Sequence, residues 1–208
     1  MSEKNFKVGI IGAGVIADFH AQALQAMEGA ELVAVFARKE DKAQSFAQKY
    51  ACSAYSDLDD FLRHDPMEVV SVASVSGVHL EHVRAAALAG KHIICEKPLE
   101  ITPQRIDEMI SICEENKVSL SGIFPRRFNE STHIFKQVIE EERLGKIILC
   151  DTAIKWWRTQ EYYDSGAWRG TWSLDGGGAL MNQSIHTIDL MLHLMGDVKS
   201  VAASGGLE

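Results

Sequence analysis

From Phe6 to Phe128, short and nearly continuous apolar runs alternate with stretches in which apolar residues recur at helical spacing. The runs FKVGIIGAG, AELVAVFAR, CSAYS, MEVVSVASV, KHIICEKP and VSLSGIFPRRF are of strand length, which predicts strands buried on both faces. Between them, VIADFHAQALQAMEG, KEDKAQSFAQKY, DLDDFLRH, GVHLEHVRAAALAG and TPQRIDEMISICEENK read as helices. Punctuation agrees: Gly29 and Gly90 close two helices, Ser56 is an N-cap candidate, and Thr102 followed by Pro103 fits a cap with proline at the first helical position. Strand–helix alternation is the signature of a parallel sheet covered on both faces, and right-handed crossovers make it doubly wound.

After Phe128 the rhythm changes. NESTHIFKQVIEEERLG predicts a helix and KIILCDTAIKWW a long strand, followed by a loop rich in Trp, Tyr and Gly from Arg158 to Gly178. The segment DGGGALMNQSIHTIDLMLHLMG predicts a glycine turn entering a helix, and VKSVAASGGLE the start of another strand. The domain boundary falls near Phe124–Arg127, which divides the chain into residues 1–124 and 125–208. Two strands make a poor sheet alone, so the second part is expected to be the opening of a domain in an apparently truncated chain.

Composition narrows the class. With 46% hydrophobic and 24% charged residues, the 208-residue chain has the make-up of a globular protein with ample core. The net charge is −8 and no Lys/Arg block occurs, which argues against nucleic acid as a partner. No run of eighteen apolar residues exists and MSEKNFKVGIIG lacks a signal-peptide core, so a cytoplasmic protein without a membrane partner is expected. Cys52, Cys95, Cys113 and Cys150 form no C-x-x-C pair and no zinc-ligand spacing, so no metal is expected. Cys95 and Cys150 lie in strand-like runs and are expected to be buried, reduced thiols.

Gly12-Ala13-Gly14-Val15-Ile16-Ala17 fits G-x-G-x-x-[GA] between a strand and a helix. Gly12 permits the tight turn, Gly14 lets backbone approach a pyrophosphate, and Ala17 lets helix and strand pack; Val15 and Ile16 open the helix whose free N–H groups face the phosphates. At the end of the second strand an NAD site usually has an acidic residue, but here Ala37 occupies that place and Arg38 and Lys39 follow. Loss of the carboxylate removes repulsion against a 2′-phosphate, and Arg38 can pair with one, which favours NADP over NAD. The alternative is that Arg38 stacks on adenine without preference.

Glu96 and Lys97 stand at the C-terminal end of a buried strand, where ligands of open α/β sheets bind, so Lys97 is expected to project toward nicotinamide and substrate. On the helix after the glycines, Asn182, His186, Asp189 and His193 fall on one helical stripe, and Met181, Ile185, Ile188, Leu192 and Met195 on a neighbouring stripe expected to be core. His193 suits the helix dipole alone.

Together GIIGAGVIADFHAQAL, SVSGVHLEHVRAAALAGKHIICEKPL and WRGTWSLDGGGALMNQSIHTIDLMLHLMG resemble the Gfo/Idh/MocA family of NAD(P)-dependent sugar and polyol oxidoreductases, over essentially the whole chain. The resemblance implies an N-terminal Rossmann domain and a C-terminal α/β domain on a large open, mainly antiparallel sheet, often used to form homo-oligomers, in a longer protein. It implies that Lys97 of E-K-P is catalytic or positions substrate, and that His186 of the H-x-x-D segment is the proton acceptor. Asn182 stands where the family often has a substrate-contacting Asp; an amide is no base, but it bonds a sugar hydroxyl, and an Asn-Gln pair at this point also occurs in members acting on nucleotide-linked sugars. Asp189 is expected to orient or charge-stabilise the imidazole at the substrate. Ser74 and the turn ending in His79 fit the loop that passes along the cofactor, with Val75 where the family often has proline.

The implied reaction is reversible oxidation of a secondary alcohol on a sugar, sugar derivative or cyclitol. Trp156, Trp157, Arg158, Tyr162, Tyr163, Trp168 and Arg169 either build the sugar subsite, with Trp168 and Arg169 as its contacts, or pack between domains. Two other readings stay open: a non-catalytic NADP-binding sensor or assembly subunit, which would keep the glycine loop and lose its acid–base residues, and an inactive fragment of the oxidoreductase.

Overall fold

The structure, a computed structural model, describes residues 5–205. It forms two compact units: one comprises the described residues through Ile123 with Thr159–Asn182, the other Phe124–Arg158 with the described residues from Gln183. The first break thus falls between Ile123 and Phe124, and the loop from Thr159 to Asn182 groups with the first unit.

In the first unit the strands β1 (Phe6–Ile11), β2 (Ala30–Phe36), β3 (Ser53–Tyr55), β4 (Val69–Val72), β5 (His92–Cys95) and β6 (Leu120–Gly122) form one parallel sheet in the order β3-β2-β1-β4-β5-β6. The helices α1 (Val15–Ala26), α2 (Glu40–Tyr50), α3 (Leu58–Leu62), α4 (His79–Leu88) and α5 (Pro103–Glu115) connect them. Strand alternation sends neighbouring residues into separate cores. Ile10 and Val35 pack with Ala17 and Ala21 of α1 and Phe46 of α2, whereas Ile11 and Phe36 pack with Phe61, Val83 and Met109 on the opposite face. The order reverses between β1 and β4, which places a ligand crevice outside their carboxyl ends.

Caps fix the helix starts. The Thr102 hydroxyl accepts from Arg105 N at 3.4 Å with Pro103 behind it, as expected. The cap of α3 is Asp57, which accepts from Asp60 N at 2.9 Å, and not Ser56: both suit the role, and the helix starts at Leu58, one residue later than its pattern suggests. A short turn of 3₁₀ helix, Ser76–Val78, precedes α4.

The second unit contains a 3₁₀ turn (Pro125–Phe128) and α6 (Glu130–Glu140); α7 (Gln160–Asp164) lies in the returning loop of the first unit. A π-helical segment (Leu180–Ser184) leads without a break into α8 (Ile185–Met195), which packs against α6 and the Pro125–Phe128 turn. Among the described residues nothing beyond Gly122 is a strand, so the strands expected at Lys146–Trp157 and from Val198 do not form there; the last residues of the latter lie outside the described range. A strand requires a ladder partner for its N–H and C=O groups. Ile148, 91% exposed, and Leu149, 82% exposed, show that the alternation in this stretch has no face to bury. Cys150 is accordingly exposed, whereas Cys95 is buried. Among the described residues no helix is long and apolar enough to cross a membrane, and no three His, Cys, Asp or Glu side chains group as a metal site.

Candidate active site

The two glycines of the loop after β1 differ in what requires them. Gly12 has φ +115°, and a Cβ there would lie 2.6 Å from the Ala73 carbonyl oxygen, so the fold itself excludes a side chain. Gly14, the N-cap of α1, has φ −98° and ψ −172°, a conformation open to any residue, and an added Cβ would meet nothing within 4 Å. The protein leaves that space clear directly before the first-turn N–H groups of α1, which have no intrahelical acceptor. A pyrophosphate fits there by charge and by hydrogen bonding. Val15, 74% exposed, and Ile16, 42% exposed, flank the opening, while Ala17 is fully buried against the sheet.

At the end of β2, Ala37 is buried and its N–H donates to Tyr55 O, and Arg38 is exposed. The Ser74 hydroxyl pairs with His82 Nδ1 at 2.9 Å, and the His82 ring meets Phe36 edge-on at 6.2 Å, beside the β2 end. Burial first, then the electrostatic influence of His79 and Arg38, pushes the His82 pKa from 6.5 down to about 4, with Glu81 opposing. His79 itself is fully buried. Its Nε2 faces Ser74 O at 3.1 Å, and its Nδ1 faces Pro98 O and Leu99 O at 3.1 Å each. This histidine fastens the loop after β4 to the loop after β5, and it presents no ring nitrogen to a ligand.

Lys97 is held within that second loop. The buried Glu100 carboxylate accepts from Leu80 N, Ile101 N and Arg105, which pins the loop to α4 and α5. Glu96 accepts from His20 Nε2 at 3.0 Å and from Lys97 N at 3.0 Å. Burial works against charge on Glu96, but the His20 hydrogen bond, the Lys97 N–H and the Lys97 charge outweigh it and hold the carboxyl below the usual range. Lys97 Nζ donates to Asn182 O at 3.0 Å, and the Asn182 amide donates to Asp175 at 2.6 Å. Burial lowers the Lys97 pKa; the carboxylates of Glu96 and Asp175 oppose this, and Arg169 reinforces it. A carboxylate is therefore present beside Lys97, contributed by the buried Asp175 and not by position 182. Gly176 permits this by packing onto Ile101: its φ is +82°, and an added Cβ would fall 2.9 Å from Ile101 Cβ.

The family described as an oxidoreductase family with an NAD-binding Rossmann fold matches residues 6–124, and its C-terminal domain matches residues 133–207. The chain belongs to the Gfo/Idh/MocA family. It is similar to D-glucoside 3-dehydrogenase of Escherichia coli (strain K12), at 33% identity over 207 residues that cover 98% of this chain and 58% of that protein. Myo-inositol 2-dehydrogenase of Thermotoga maritima is 29% identical over 203 residues, 97% of this chain and 58% of that one. Among solved structures, the WlbA dehydrogenase from Bordetella pertussis in complex with NADH and UDP-GlcNAcA superposes with a TM-score of 0.89 at 31% identity, covering 94% of this chain and 57% of that one. The chain spans about half the length of the curated relatives it matches, 53–58%.

The Gfo/Idh/MocA helix after the glycines departs from a uniform stripe. The π segment ends at Ser184, and its i→i+5 pattern inserts an extra residue into the turn. The uniform α-helical spacing on which the stripe rests therefore does not extend through Asn182. The expected core stripe is not the buried one either: Leu192 and Met195 are 37% and 40% exposed, while Gln183 and Asp189 are buried. Asp189 is engaged by Arg127, whose Nε donates to Oδ2 at 2.8 Å and whose Nη2 donates to Oδ1 at 2.5 Å. Its carboxylate is thus the partner of a guanidinium, which argues against the imidazole-orienting role. His186, in the second unit, is half-buried at the start of α8.

The aromatic loop is divided. Trp156 is flanked in the second unit by the Arg126 and Arg158 guanidiniums at 5.2 Å and 5.6 Å, and Trp157 is exposed. Arg169, in the first unit, donates to Tyr162 Oη at 2.8 Å and lies 4.4 Å and 4.8 Å from the Tyr162 and Trp168 ring centres. Sequence reasoning passed over His20, Ser71, His82 and Asp175. Only Ser71 carried a local signal: it is the sole polar residue of VVSV, and a polar group in a strand buried on both faces needs a partner.

Proposed function

We propose that the protein is an NAD(P)-dependent oxidoreductase of the cytoplasm that oxidises, reversibly, a secondary alcohol of a sugar, sugar derivative or cyclitol, and that it prefers NADP. The observation that carries this reading is Lys97: it lies at the carboxyl end of β5, half-buried, beside Glu96, Asp175 and Arg169, in the unit that holds the glycine loop. When bound, the nicotinamide supplies the acceptor for a hydride from the carbinol carbon. Gly12, Gly14, Val15 and Ile16 would hold the pyrophosphate, Arg38 the 2′-phosphate, and Ser74 and Glu96 the ribose and nicotinamide side.

Lys97 would stabilise negative charge as it develops on the alcohol oxygen, its ammonium moving from the Asn182 carbonyl to that oxygen. Its lowered pKa makes it a readier proton donor than an ordinary lysine. His186 would take the hydroxyl proton, a role resting on its H-x-x-D segment. Asn182 would orient a neighbouring hydroxyl. Arg169, braced by Tyr162 and Trp168, offers a fixed cation to an acidic or phosphorylated sugar. Assembly as a homo-oligomer is part of the proposal.

In the intact protein, Lys97→Ala and His186→Ala should each abolish sugar-dependent reduction of NADP⁺, followed at the absorbance of the reduced cofactor, while leaving its binding in place. Unchanged kcat in either variant removes that residue from the mechanism. A wild-type protein that binds cofactor tightly but turns over no sugar or cyclitol points to the sensor reading instead.

A further inference from the structure

Three buried or half-buried polar side chains from three elements form one hydrogen-bonded chain. Ser71 lies on β4 between Val70 and Val72; those two enter the core beneath α4, so Ser71 faces the side that α1 covers. His20 of α1 meets Ser71 Oγ through Nδ1 at 2.6 Å and Glu96 Oε1 through Nε2 at 3.0 Å. Glu96 Oε2 then accepts from Lys97 N at 3.0 Å. An ionised carboxylate only accepts, so Nε2 is the donor toward Glu96, and Nδ1 is left to pair with the Ser71 hydroxyl.

This chain crosses the topological switch point of the sheet. It begins on β4, passes through the helix whose N-terminus faces the pyrophosphate site and ends on the backbone of Lys97. We infer that His20 is a positioning residue that acts through Glu96 to fix Lys97 and the nicotinamide end of the dinucleotide site. The inference rests on the cofactor reading above. Without His20, Glu96 loses its side-chain donor in a half-buried place and turns toward water, and the Lys97 N–H loses a fixed acceptor. The pyrophosphate end is set separately, by Gly12, Gly14 and the packing of Ala17 and Ala21, none of which requires the imidazole.

The test uses the 208-residue chain, its His20→Leu, His20→Gln and Ser71→Ala variants, and two probes for each cofactor: NADPH against 2′-phospho-ADP-ribose, and NADH against ADP-ribose. The shorter probes keep the phosphates and adenosine and lack the nicotinamide. His20→Leu should weaken the reduced cofactors about tenfold, the weight of one charge-assisted hydrogen bond, and leave the shorter probes within about twofold. His20→Gln, whose amide can still donate to Glu96, should recover most of the loss, and Ser71→Ala should fall between. Emission of the bound nicotinamide should shift in His20→Leu and return in His20→Gln.

Equal weakening of long and short probes would mean that His20 acts only by packing α1, and overturns the inference; so does binding unchanged for all four. Should His20→Leu fail to fold, His20→Gln and Ser71→Ala decide by the same comparison, since a positioning role requires Ser71→Ala to discriminate between probes. If the wild-type chain binds none of the four, the dinucleotide reading itself fails and this inference falls with it, an outcome distinct from the others.

Discussion

Gly12→Ala and Gly14→Ala, two residues apart, separate what the fold requires from what a ligand requires. At Gly12 the added methyl meets a backbone oxygen 2.6 Å away and φ is +115°. Strain of that kind costs about 1–3 kcal/mol, and a clash with backbone brings the total to about 3 kcal/mol. In a chain of this size each kcal/mol moves Tm by roughly 2–4 °C, so a fall of roughly 6–12 °C is expected. At Gly14 the methyl enters open space at an allowed conformation. A stiffer unfolded chain contributes about 0.4–1 kcal/mol of stability, alanine is a worse N-cap than glycine by a similar amount, and Tm should stay within about 4 °C of wild type. NADPH binding should nevertheless weaken by at least about tenfold, because the methyl stands where the pyrophosphate approaches the backbone. Calorimetry gives the first quantity and nicotinamide fluorescence titration the second. Wild-type affinity in Gly14→Ala, or a loss of stability equal to that of Gly12→Ala, would show that the space at Gly14 is not kept for a ligand.

Arg38→Ala should lower NADPH affinity by about tenfold to a hundredfold, the range of hydrogen bonds to a charged group, while NADH stays within about threefold; equal losses would assign Arg38 to adenine stacking. His82 has a folded-state pKa of about 4 against 6.5 for an ordinary histidine. Above pH 6.5 both states carry it neutral; as pH falls toward 4 the unfolded state binds the proton first, so stability drops by up to about 3 kcal/mol over that window and this contribution levels off below it. Urea titrations from pH 7 to 4 should show that limb flattened in His82→Gln, and an unchanged slope would contradict it. Arg127→Met leaves the Asp189 carboxylate buried and unpaired, and should destabilise the chain by about 2 kcal/mol, below the usual cost of breaking a buried pair because the Arg127 side chain is 41% exposed; a Tm shift under about 2 °C would count against this.

The Rossmann unit was legible because parallel strands buried on both faces leave near-continuous apolar runs, and because Gly12, Gly90, Thr102 and Pro103 mark turns and caps locally. The second unit was less so. An alternating run such as Lys146–Trp157 is permission for a strand, and the ladder partner that makes it one is not a local property. The stripe on α8 failed for two reasons that no uniform period contains: the π turn that ends at Ser184, and the ion pair that brings Arg127 to Asp189 across 62 residues. His79 looked like a cofactor contact because its loop lies beside the site, yet its ring is tied to three backbone carbonyls. The link from His20 to Glu96 spans 76 residues, and only the isolated polarity of Ser71 hinted at it.

A thermal-shift titration with NADP⁺ and NAD⁺ in parallel would check the claim that this chain is built around a nicotinamide dinucleotide site. A ligand that binds only the folded state stabilises it by about 2.7 kcal/mol at a hundred times its Kd, which corresponds to a rise of roughly 5–11 °C here. Tm should climb with both cofactors and further with NADP⁺ at equal concentration. A flat titration with both, at millimolar concentration, would contradict the claim.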